Sequence, residues 1–145
     1  MSLAPEIEAK IRASFARQTM MQTLGAELLE LGEGTAFISA PILPGSLQQQ
    51  GAAHAALTFA IGDSAAGYAA LTLFDPEDEI VTVEMKINLL RPALGDRLFS
   101  EGRVVRAGRR QTVVQAEVFA EVAGGRKPVA LLQGTMIPVG GTDAL

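Results

Sequence analysis

The sequence predicts an α+β domain in which an antiparallel sheet covers one long apolar helix, and three observations carry that prediction. Residues Ala52 to Phe74 form a 23-residue stretch without proline in which Asp63 is the one charged side chain. Beyond it, apolar and polar residues alternate with a period of two almost to the end of the chain, as half-buried strands do. No helical pattern separates those later strands, so they are expected to join as antiparallel neighbours rather than through parallel crossovers. A chain of 145 residues is long enough for one domain with a continuous core, and that core must be built from Ala, Val, Leu and Ile, because six Phe and one Tyr are the only aromatic residues.

Taken in order, Ile7, Ile11, Phe15 and Met20 or Met21 recur at near-helical spacing and predict a short amphipathic N-terminal helix over about residues 1–21. Leu24 to Leu31 and Thr35 to Ala40 read as two strands around the Gly32-Glu33-Gly34 turn, and Pro41 and Pro44 end that hairpin. A loop through Gln50 follows. The Ala52–Phe74 stretch is rich in helix-forming Ala, and Asp75-Pro76 is expected to stop it. At 100° per residue, Leu57, Ile61 and Tyr68 share one helix face, suited to a sheet. Ala56, Asp63, Gly67 and Ala70 share the opposite face, whose small side chains let another backbone approach. Val81, Val83, Met85, Ile87 and Leu89 then alternate with polar residues, Arg97 to Ala107 continues less cleanly, and Thr112 to Val122 repeats the pattern. Gly124-Gly125 turns the chain into a last strand over Val129 to Val139, and residues 140–145 remain as a tail.

Composition excludes several classes of function. A formal charge of -4 argues against a surface that attracts nucleic acid. With no cysteine and one histidine, His54, there is no thiolate nucleophile, no disulfide and no multi-histidine metal centre, so no metal and no cofactor is expected. The Ala52–Phe74 stretch could span a membrane on length alone. Its central carboxylate, His54 and the lack of a basic flank favour a buried helix instead. Met1 to Lys10 carries Glu6 and Glu8 and lacks a basic-then-apolar signal pattern, and a cytoplasmic location is the expectation.

Candidate chemistry concentrates on Gln48, His54 and Asp63, the few polar groups in and just before the apolar helix. Asp63 is the N-cap of a helix restarting after Gly62, the one exposed turn of the helix, or a carboxylate held for a reaction. His54 is either a helix-start residue bonded to backbone or a catalytic group. The basic group Arg103, Arg106, Arg109 and Arg110 is either a solvated hairpin tip or a patch that pairs with phosphates.

The run from Gln48 to Asp63 resembles the signature of the PaaI-type hotdog thioesterases, of the 4-hydroxybenzoyl-CoA thioesterase-like superfamily. That signature reads Asn-x-x-Gly-x-x-His-Gly-Gly, six further residues, then Asp. Gly51, His54 and Asp63 stand in register, while Gln48 replaces Asn and Ala55-Ala56 replaces Gly-Gly. The strand Val81 to Leu89, running on into Leu90-Arg91-Pro92-Ala93, is also similar, and the likeness extends over residues 22–139. It implies a hotdog fold and hydrolysis of an acyl-CoA substrate. By the same resemblance the backbone N–H of Ala55 binds the oxyanion, Gln48 and His54 orient the carbonyl, and Asp63 acts as nucleophile or general base. Substrate contacts are then expected from Gly51, Ala56, Thr82 and Arg91, and contacts to the CoA phosphates from Arg109 and Arg110. The two alanines keep their N–H groups but each adds a Cβ close to the substrate. That departure keeps a rival reading open, an acyl-thioester binding protein without catalysis. A hotdog hydratase would need its histidine and acid at another spacing.

Helix geometry adds a constraint of its own. His54 and Asp63 are nine residues apart, which on a continuous helix is about 900° of rotation and roughly 13 Å of rise, so they point to opposite sides. Two such helices packed antiparallel about a two-fold axis would bring Asp63 of one chain to the His54 end of the other. A homodimer with composite active sites is therefore expected, and by resemblance a homotetramer made of two such dimers.

Overall fold

The structure, a computed structural model, describes residues 2–140. Met1 and the expected tail beyond Gly140 lie outside the described residues. Helix α1 spans Pro5–Ala16, with Pro5 at its first turn and Glu6 and Glu8 at its positive end. The helix expected to run on to Met21 breaks at Arg17, and a second helix, α2, covers Thr19–Leu24. The N–H groups of Gly25 and Ala26 fold back onto the carbonyls of Gln22 and Met21 and close α2. Leu24 thereby belongs to a helix, and strand β1 begins only at Glu27 and ends at Gly32.

Strand β2, Thr35–Pro41, pairs antiparallel with β1, and a 3₁₀ turn at Pro44–Ser46 leads into the loop before the central helix. Helix α3 spans Ala55–Leu71 and is shorter at both ends than the expected Ala52–Phe74. Ala52 and Ala53 have high helix propensity, but the Ala53 N–H bonds to the Ala93 carbonyl at 2.9 Å and Ala53 bridges to Leu47. Tertiary hydrogen bonds override propensity there. At the other end the Thr72 hydroxyl donates to the Ala69 carbonyl and accepts from the Gly34 N–H, ending the helix before Asp75-Pro76 is reached.

Four long strands follow: β3 Asp78–Leu89, β4 Arg97–Ala107, β5 Thr112–Val122 and β6 Gly125–Gly140. The sheet has the order β1-β2-β4-β5-β6-β3 and every neighbouring pair is antiparallel. It wraps α3, the expected arrangement. Ile38, Leu98, Val114, Val118 and Leu132 share one buried core with Leu57 and Ile61 of α3, each such side chain contributing about 1.5–3 kcal/mol of burial.

The small residues of α3 are used differently from the expectation. The tightest approach is on the sheet side, where a Cβ added to Gly102 of β4 would lie 2.2 Å from the Ala65 carbonyl carbon. Ala70 is fully buried, while Ala56 is exposed and Asp63 and Gly67 stay partly open. Tyr68 turns to the N-terminal helices rather than to the sheet. Its ring lies edge-on to Phe15 with centroids 6.1 Å apart, and its hydroxyl meets the Ser14 hydroxyl at 3.0 Å and accepts from Gln18 Nε2 at 2.7 Å. Tyr68→Phe is expected to cost about 1–2 kcal/mol, since it strands two hydrogen-bonding groups, and a lower denaturation midpoint at unchanged slope would register that loss.

Strand β3 departs from simple alternation. A bulge between Thr82 and Glu84, opposite Met136 and Thr135, turns Val83 outward, where it is 57% exposed. Because β3 is an edge of the sheet, its outer backbone has no strand partner among the described residues.

Candidate active site

The loop before α3 is built around Gln48. Its amide oxygen accepts from the Gln50 and Ala52 N–H groups, and its carbonyl accepts from Gly51 N–H at 3.0 Å. Gly51 makes this turn with φ +91°, a left-handed conformation that disfavours a side chain. The turn places Gln48 and Ala52 on the wall of a cavity of about 440 Å³, with His54, Ala55, Thr58 and Arg91 also on the wall. Gly51 shapes this turn and does not itself line the cavity.

His54 caps α3. Its Nδ1 accepts the Ala56 N–H at 2.9 Å, which places the ring proton on Nε2 and leaves that N–H as a donor. The helix-start reading of His54 therefore holds, and capping leaves its second nitrogen free for other work. Ala55 opens α3, and its N–H makes no hydrogen bond among the described residues. One free N–H at the positive end of a helix shares its cavity with the His54 ring and with the Gln48 amide, whose Nε2 donates to Gln50 Oε1 at 3.4 Å, and such a set of donors favours developing negative charge.

Asp63 lies elsewhere. It lines a second cavity of about 230 Å³ together with Gly67, Tyr68, Thr82, Met136 and Gln18. Burial pushes its carboxyl pKa above the ordinary aspartate value, and the Thr82 hydroxyl, donating to Oδ1 at 2.8 Å, opposes that rise by stabilising the charged form. The capping role for Asp63 does not fit, because it sits in mid-helix and caps nothing, and it is half-buried rather than on a fully exposed turn.

Within one chain, then, the expected site residues fall into two groups. Gln48, His54, Ala55 and Arg91 meet at the N-terminal end of α3, and Asp63 meets Thr82 further along it. Ala56 faces away from both, into a third cavity. Arg109 and Arg110 are exposed in the β4–β5 turn and line none of the three cavities, and Arg103 is engaged with Gln115. Thr58, Gln18 and Ser14 were not anticipated from the sequence. The signal for Thr58 was its place four residues after His54, on the same helix face. Among the described residues no group of three or more His, Cys, Asp or Glu is placed to hold a metal, and no helix is long and apolar enough to cross a membrane.

Comparison with known proteins agrees with this fold. Residues 50–124 match the thioesterase superfamily. A thioesterase family protein from Silicibacter pomeroyi superposes with a TM-score of 0.90 at 38% identity, over 93% of this chain and 99% of that one. The Escherichia coli PaaI protein, from the phenylacetic acid degradation operon, superposes with a TM-score of 0.86 at 25% identity, over 97% of this chain and 99% of its own. A curated Saccharolobus solfataricus protein that bears an esterase name is 33% identical over 103 residues, 71% of each chain. The chain belongs to the thioesterase superfamily and is a thioester hydrolase of the hotdog fold.

Proposed function

We propose that the protein hydrolyses acyl-CoA-type thioesters at a site composed from two copies of the chain. The observation that carries this reading is the division of the site residues along α3. The oxyanion-binding groups open into one cavity and the carboxylate into another, so that neither cavity alone holds a complete set. Two antiparallel α3 helices crossing near Phe59 would put Asp63 of each opposite Ala55 of the other, because both lie four residues from that point. The unpaired edge of β3 and the exposed Val83, Leu89 and Leu90 support the same dimer, since an open apolar edge invites a second strand. Pairing of two dimers into a tetramer is part of the proposal, and light scattering of the purified protein tests it.

In the composite site the thioester carbonyl accepts from Ala55 N–H, from His54 Nε2–H and from the Gln48 amide. Asp63 of the other copy removes a proton from water as its oxygen bonds to the carbonyl carbon. The tetrahedral oxyanion is held by the same donors and collapses with cleavage of the C–S bond, releasing the free acid and the CoA thiol, which takes up the proton. Direct attack by the carboxylate would give an acyl-aspartyl intermediate instead. That step expels the CoA thiolate, and water then hydrolyses the anhydride; label found in Asp63 after a single turnover in heavy-oxygen water identifies this route, through attack of water at the aspartyl carbonyl. Thr82 positions the carboxylate, and Arg91 meets the CoA arm.

The test is release of free thiol from a panel of aryl and aliphatic acyl-CoAs, with acyl-carrier-protein thioesters alongside. Turnover of at least one substrate well above Asp63→Ala supports the proposal; saturable binding of CoA esters with no turnover would assign the chain to the non-catalytic reading. The pH profile has a defined sign. The reactive form of Asp63 is ionised, so kcat/KM falls as pH is lowered through its pKa, and the acid limb lies above the ordinary aspartate value of about 3.9. Thr82→Val removes the group that opposes the rise, and its acid limb is expected at higher pH than that of the parent.

A further inference from the structure

The cavity beside Asp63 holds more polar groups than the reaction has used so far, and two of them come from the N-terminal helices. Ser14 of α1 and Gln18, the residue before α2, line this space of about 230 Å³ together with Asp63, Ser64, Tyr68 and Thr82. Lys10 ties α1 down at this place. Its ammonium donates to the Asp78 carbonyl at the start of β3 and lies 3.9 Å from a Glu79 carboxylate oxygen. A carbon chain in this cavity would cut hydroxyls, an amide and a carboxylate off from hydrogen-bond partners, whereas the same wall and volume suit several waters.

We propose that Tyr68, held by Ser14 and Gln18, is a positioning residue that orders the water on which Asp63 acts. The proposal rests on the reading of Asp63 as the carboxylate of the hydrolytic site. Thr82 occupies Oδ1 of Asp63, and Oδ2 accepts no hydrogen bond among the described residues. Tyr68 is buried with its ring edge-on to Phe15, and its oxygen accepts from Gln18 Nε2 at 2.7 Å and meets the Ser14 hydroxyl at 3.0 Å. Two hydroxyls that face each other carry two protons, and their mutual bond uses one. The other O–H is left to donate to a water in the cavity, and that water donates to the free oxygen of Asp63. Bonds at both ends leave the second lone pair of the water in a fixed direction for attack on the carbonyl carbon. The N-terminal helices thereby join the catalytic apparatus, because α1 and the residue before α2 set the position of the Tyr68 hydroxyl.

The test is a double-mutant cycle on kcat, with Tyr68→Phe made in the parent and in Asp63→Asn and assayed on whichever acyl-CoA the parent turns over best. Unfolding midpoints are measured alongside, and the assay temperature is set well below the lowest of them, so that every variant is folded. In the parent, Tyr68→Phe is expected to lower kcat about tenfold with KM unchanged, the effect of one hydrogen bond made to the reacting water. In Asp63→Asn, where no base acts on that water, the same change is expected to lower kcat less than about twofold. Gln18→Met keeps the length of the side chain and removes the donor, and in the parent it is expected to lower kcat about threefold without adding to the loss in Tyr68→Phe. An equal loss from Tyr68→Phe in both backgrounds would overturn the proposal and make Tyr68 a structural residue. A raised KM at unchanged kcat would also overturn it, giving the cavity to the substrate, and full activity of Gln18→Met would overturn the holding role of Gln18. Each of these results leaves the thioesterase reading standing. Hydrolysis by the parent no faster than by Asp63→Ala would instead overturn that reading and the proposal with it.

Discussion

Asp63→Asn is expected to lower kcat for thioester hydrolysis by about a thousandfold, within the 10²–10⁴ range for loss of a general base, with KM little changed. The amide keeps the size of the carboxylate and can still meet Thr82, so the loss falls on chemistry rather than on packing. The same substitution is expected to stabilise the protein at neutral pH. Burial raises the Asp63 pKa in the folded state, so the folded chain holds this proton at pH values where the unfolded chain has released it. A group of this kind destabilises the fold progressively as pH rises through its folded pKa, and its penalty vanishes below the unfolded value. The gain in stability of Asp63→Asn over the parent should therefore be largest at neutral pH and close as the solution is acidified toward pH ~4. Thermal unfolding of both proteins across that range measures it. A variant that loses activity and also loses stability at neutral pH would mean that the carboxylate is a structural group.

The second large effect concerns the seat of α3 on the sheet. Gly102→Ala would set a methyl 2.2 Å from the Ala65 carbonyl carbon, 2.3 Å from its oxygen and 2.5 Å from the Ala66 nitrogen. All three are helix backbone atoms, which cannot rotate away as a side chain can. The helix must lift off β4 or the strand must bend, and overpacking of this kind costs about 3 kcal/mol. Gly62→Ala makes the contrasting case. Its added methyl meets side-chain methyl groups, those of Leu132 at 2.8 and 3.0 Å and one of Val118 at 3.4 Å. Those side chains can adjust, so the penalty should be clearly smaller. Chemical denaturation of the two variants side by side tests the ranking. Because lifting α3 also moves Asp63 and His54, Gly102→Ala is further expected to lower kcat even where it remains folded.

Much of this architecture was legible in the sequence, for identifiable reasons. Period-two alternation located β4, β5 and most of β6, since those strands have one face on the core and one outside, the condition under which alternation is clean. At β3 it located the strand and the partly buried Val81, Met85 and Ile87, but the bulge at Val83 and the edge position broke the link between alternation and burial at Val83 and Leu89. The start of α3 was misplaced because Ala53 is committed by bonds to Ala93 and Leu47 and Ala52 by bonds to Gln48, and its end because the Thr72 hydroxyl is engaged with Gly34 and Ala69, contacts that no helix propensity reports. The N-terminal break at Arg17 had no proline or glycine to mark it. For the site, counting 100° per residue separated His54 from Asp63, and the structure keeps the two in separate cavities. The same counting set Ala56 beside Asp63 on one face and could not reveal that Ala56 opens onto a different cavity from Gln48. The basic residues of the β4–β5 turn gave a charge pattern without a location, and the fold leaves Arg109 and Arg110 outside the cavities of the single chain.

The central claim, that each active site takes its carboxylate from one copy and its oxyanion donors from another, is tested most directly by complementation. His54→Ala and Asp63→Asn variants would be mixed in equal amounts under conditions in which subunit exchange is demonstrated by mass spectrometry. Each heterodimer then contains one intact site and one doubly defective site, and half of the dimers are heterodimers, so the mixture should recover about a quarter of the parent activity. Complete exchange with activity no greater than the sum of the two separate variants would contradict the claim and place the whole site within one chain.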